Sequence, residues 1–158
     1  MNTSQIYLKT IFCCMACDGD IAPEEIDLVL KLTARQPAFH DLEVKQTINE
    51  YVEAINECGA QFLKTYLKEL AAQKLSDEEQ LLLMDFALQT IYADNRIEYA
   101  EVKFFKKIRA CLSLSDEQIL AQHPDAEDFL LPDIYVAEDP EWNNIIFEKI
   151  DFSQIAQP

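Results

Sequence analysis

Apolar residues recur at three- and four-residue spacing along much of the chain. One set is Val44, Ile48, Tyr51, Val52 and Ile55, a second Phe62, Leu63, Tyr66, Leu67 and Leu70, a third Val102, Phe105, Ile108 and Leu112. That period puts each set on one face of an α-helix. Start signals fall in phase with it. Ser76 with Glu79, and Ser115 with Gln118, form capping boxes, in which a hydroxyl and a Glu or Gln three residues later satisfy free backbone donors reciprocally. The pattern predicts helices over 3–17, 23–35, 41–57, 60–74, 77–92, 99–112 and 116–121. The segments 1–17 and 77–92 are apolar around most of their circumference and are expected to be central, with the others around them. The fold class expected is all-α, a compact bundle of about seven helices.

Residues 122–158 break this pattern. Pro124, Pro132, Pro140 and Pro158 interrupt the segment, and its acids are scattered rather than periodic. Phe129, Leu130, Leu131, Ile134, Tyr135, Trp142, Ile145, Ile146, Phe147, Ile150 and Phe152 make it too apolar for a solvated tail. Two readings stand: a strap across the helical body, with one helix near 141–149, or an exposed interaction surface. The expected organisation is a helical domain over 1–121 and an acidic extension over 122–158 packed on it.

The helical part contains an internal repeat. Residues 18–25 lie without a gap on residues 94–101, with Asp18 matching Asp94, Gly19 matching Asn95, Ile21 matching Ile97 and Glu25 matching Glu101. Each copy follows an apolar helix and precedes an amphipathic one, so the unit is a helix–turn–helix used twice. Gly and Asn best tolerate a left-handed backbone and are expected to close the preceding helix that way. Counting Pro23 and Tyr99 as first helical residues pairs Ile21 with Ile26 and Ile97 with Val102 as hydrophobic staples. Glu25 and Glu101 then fall at the third helical position, where a carboxylate meets free amides and the positive end of the helix dipole.

The first copy resembles the second half of a calcium-binding EF-hand loop. Cys14 and Ala16 stand where its first carboxylates should be, and Arg96 replaces Asp20 in the second copy, so a full EF-hand is excluded. A weaker divalent-cation site remains, with oxygens from Asp18, Asp20, Glu24 and Glu25, and a second or shared one from Asp94, Glu98 and Glu101. The other reading is that these acids only cap backbone amides.

At these residues the chain resembles the TerB-like family of tellurite-resistance-associated proteins, also seen in the N-terminal domain of the DjlA co-chaperone. The likeness covers about residues 3–121 and rests on the run from Ala16 to Glu25, its echo from Ala93 to Glu101, and the helices around both. It implies a cytoplasmic, all-helical domain linked to chemical-stress and phage response, with a divalent-cation site at Asp18, Glu25, Asp94 and Glu101. Asn95 and Arg96 depart from the family's more usual pattern in the second turn.

Charge narrows the partners. There are 29 acids against 13 Lys and Arg, a formal charge of −16. Residues 116–158 hold eleven of those acids and the single base Lys149. Nucleic acid and anionic membranes would be repelled, and an acidic site is a poor receptor for the tellurite oxyanion. No apolar run reaches the length of a membrane span, and a secretory signal is not expected. Five Cys fit a reducing cytoplasm. Among them Cys13, Cys14 and Cys17 read either as small core residues or as soft-metal or redox thiols. Lys103, Lys106 and Lys107 share a helix face that is either solvated or a docking surface. No nucleophile elbow, His-Glu-x-x-His string or phosphate loop is present, so no enzyme is expected. The function expected is a non-enzymatic accessory protein that binds a divalent cation, Ca2+ or Mg2+, at its acidic turns and is read by a protein partner. The alternative is a metal-independent acidic module, an adaptor or inhibitor that docks on a basic protein.

Overall fold

The structure, a computed structural model, describes residues 3–19, 21–40, 42–93, 99–126, 147 and 150. Among them run seven α-helices and no strand: α1 (Thr3–Ala16), α2 (Pro23–Arg35), α3 (Val44–Cys58), α4 (Gln61–Ala72), α5 (Asp77–Tyr92), α6 (Tyr99–Ala110) and α7 (Asp116–Gln122). The all-α bundle expected from the periodicity is the fold observed.

Helix α1 is enclosed. Every side chain from Ile6 to Ala16 is buried, so no face of this helix meets water over its last three turns. It packs most extensively on α5 and also touches α3, α4 and α6. The aromatic contacts show how it is wrapped. Tyr7 meets Phe86 of α5 edge-on at 5.3 Å, and Phe12 meets Phe62 of α4 at 5.7 Å and Tyr51 of α3 at 5.5 Å. Such pairs contribute ~0.5–1.5 kcal/mol beyond the apolar area they bury. Both capping boxes form: Glu79 N–H donates to Ser76 Oγ at 3.1 Å, and Gln118 N–H to Ser115 Oγ at 3.1 Å.

Three local differences from the expected elements have physical causes. Helix α3 begins at Val44 instead of residue 41, because Pro37–Phe39 forms a 3₁₀ turn that the periodicity did not reveal. Phe39 is its anchor, buried against Tyr7 and Phe86, and it fixes where the chain can re-enter a helix. Helix α6 stops at Ala110, since Cys111 and Leu112 turn their N–H groups to Ile108 and Arg109 in a tightened last turn. Phe147, placed in a helix near 141–149 by the sequence pattern, is not helical. Its backbone N–H and C=O are both held by the Asn56 side chain and cannot join a helical ladder. The remainder of that expected helix, residues 141–146, 148 and 149, lies outside the described residues.

Two polar side chains on the enclosed helix, Lys9 and Thr10, are matched by partners. Thr10 donates to the Ile6 carbonyl at 2.7 Å and shares a hydrogen bond with the Tyr66 hydroxyl. Lys9 pairs with Glu69 of α4 at 2.6 Å, with its ammonium 4.8 Å from the Phe62 ring centroid. The Lys9 side chain is 11% exposed and that of Glu69 28%. Removing one partner of such a pair leaves a poorly solvated charge, whereas replacing the cation by an apolar chain of similar volume does not. Glu69→Gln is therefore expected to destabilise the fold by about 1–3 kcal/mol and Lys9→Met by less than about 1 kcal/mol, or to stabilise it. Urea unfolding of the two variants checks this, and a larger loss for Lys9→Met contradicts it.

Candidate cation site at the repeated turns

The first turn is built as the repeat predicts. Gly19 takes φ +88°, which only glycine adopts without strain, and its N–H closes α1 on the Ala16 carbonyl at 2.9 Å. Pro23 opens α2, and Ala22 before it is extended at φ −75°, ψ 146°. Ala22 has no side-chain acceptor. The carboxylate of Glu25 therefore supplies the cap alone, accepting the Ala22 N–H at 2.8 Å. Ile21 packs against the core and Ile26 is buried in it, where a staple would put them.

Glu25 is 4% exposed and Glu101, its counterpart at the third position of α6, is 3% exposed. These are the two buried acids among the described residues, and they occupy equivalent places in the two repeats. Both act on the same pair of thiols: each raises the pKa of Cys14 and of Cys17, adding to the larger effect of burial. Helix α1 ends at Ala16, so the first turns of α2 and α6 converge on its C-terminal end. Asp18 also bears on Cys17 but is itself exposed, and Glu24 is exposed. Asp20, Asp94 and Glu98 lie outside the described residues, as do Asn95, Arg96 and Ile97. Among the described residues, no group of three or more His, Cys, Asp or Glu is gathered closely enough to hold a metal ion.

Burial pushes the Cys13, Cys14 and Cys17 thiols well above their ordinary range. They are protonated near neutrality and fit the core-residue reading, because the thiolate is the form that binds soft metals or reacts. Cys17 donates to the Cys14 carbonyl at 3.3 Å. Lys103, Lys106 and Lys107 are half-buried along α6.

A domain of this kind, all-helical and built on a doubled helix–turn–helix with one buried carboxylate per repeat, has a family. The family described as tellurite resistance protein TerB matches residues 10–123, both repeats included, and the chain belongs to it. No curated protein and no solved structure matches the chain.

Sequence reasoning missed two features near this frame. One is the Lys9–Glu69 pair, signalled only by a lone Lys in an apolar run. The other is a pair of asparagines on α3, Asn49 and Asn56, which hold the backbone of Ile150 and Phe147.

The buried thiols give the site a pH signature. Their folded pKa values are raised, so they stabilise the fold fully below the unfolded value of about 8.5 and progressively less above it. Each contributes a fall of up to about 1.4 kcal/mol per pH unit above that point. Melts between pH 8 and 10 are expected to show a steep loss of stability that is shallower in Cys14→Ser with Cys17→Ser. An equal slope in both proteins contradicts the assignment. In the native wild type at pH 8, a thiol reagent is expected to label exposed Cys58 first and to spare Cys13, Cys14 and Cys17 until unfolding.

Proposed function

We propose that this TerB-family chain is a non-enzymatic, cytoplasmic accessory protein of chemical-stress response that holds a divalent cation at its two acidic turns. The observation that carries the reading is the convergence of Glu25 and Glu101, both buried, on the C-terminal end of α1. Two carboxylates in one low-dielectric neighbourhood raise the energy of the doubly ionised state, and a divalent cation lowers it.

The donors decide which cation suits the site. Carboxylate oxygens favour hard ions, Ca2+ or Mg2+, and the protonated thiols nearby offer nothing to a soft one. Glu25 and Glu101 would hold the ion from the protein side. Asp18, Asp20, Glu24, Asp94 and Glu98 would supply further oxygens from the turns. The bound ion fixes the angle between the turns, and a protein partner reads that geometry. Any tie to tellurite is indirect, because a −16 chain repels an oxyanion.

The second reading is a metal-independent acidic module for a basic partner. The excess of acids over bases, 29 against 13, favours it.

Calorimetric titration with Ca2+, Mg2+, Mn2+ and Zn2+, paired with thermal melts, separates the two. The wild type is expected to bind Ca2+ or Mg2+ and to gain about 2.7 kcal/mol at a hundredfold excess over the dissociation constant. Asp18→Asn with Glu25→Gln is expected to lose both heat and stabilisation. Gln at position 25 keeps an oxygen for the Ala22 N–H, so the helix cap survives the test. Equal stability of the wild type with each cation and with chelator would leave the acidic-module reading.

A further inference from the structure

We draw no further inference here: the strongest candidate, the cavity of about 360 Å³ between α2 and the start of α3, lined by Leu30, Phe39, Leu42 and Val44 with Glu43 and Lys45, carries nothing because nothing in the structure shows what covers it.

Discussion

A helix with no polar face can exist in water only if other elements cover it on every side. Helix α1 is that helix, buried without interruption from Ile6 to Ala16, and the arrangement of the rest follows from covering it. Helix α5 takes the longest side, α3 and α4 bring Tyr51 and Phe62 to Phe12, and α6 reaches it as well. The side chains that would oppose enclosure are answered one by one. Lys9 finds Glu69, and Thr10 finds its own carbonyl ladder and Tyr66.

Enclosure also explains the burial of the two acids. The end of α1 is crowded by the next turn of the same repeat and by the first turn of α6 from the second, so acids at the third position of both helices are carried inside. The same burial that keeps the thiols protonated brings both carboxylates within electrostatic reach of Cys14 and Cys17. Two acids at the third helical position thus sit where solvent screens them little, Glu25 as the cap of α2.

Much of the frame was legible in the residues, because amphipathic periodicity and capping are local. The helix starts at Ser76, Ser115 and Pro23 follow from neighbours within four positions, and the left-handed Gly19 from one residue type. The third-position role of Glu25 was legible for the same reason. Burial of Glu25 and Glu101 beside shared thiols was not, since it depends on two helices, α2 and α6, far apart in sequence, both reaching the end of α1. The 3₁₀ turn at Pro37–Phe39 and the asparagine clasp were missed on similar grounds. Phe39 is anchored by α1 and α5, and Asn49 and Asn56 show their purpose only when a segment about a hundred residues later lies across them.

The central claim is that the doubled turn gathers its acids around a single cation. Anomalous diffraction from crystals soaked in Mn2+ tests it most directly. The account predicts one peak between the carboxylates of Glu25 and Glu101, with an oxygen of each in ligating range, ~2.0–2.6 Å. An empty map there, with the two carboxylates engaged only by protein donors, would contradict it.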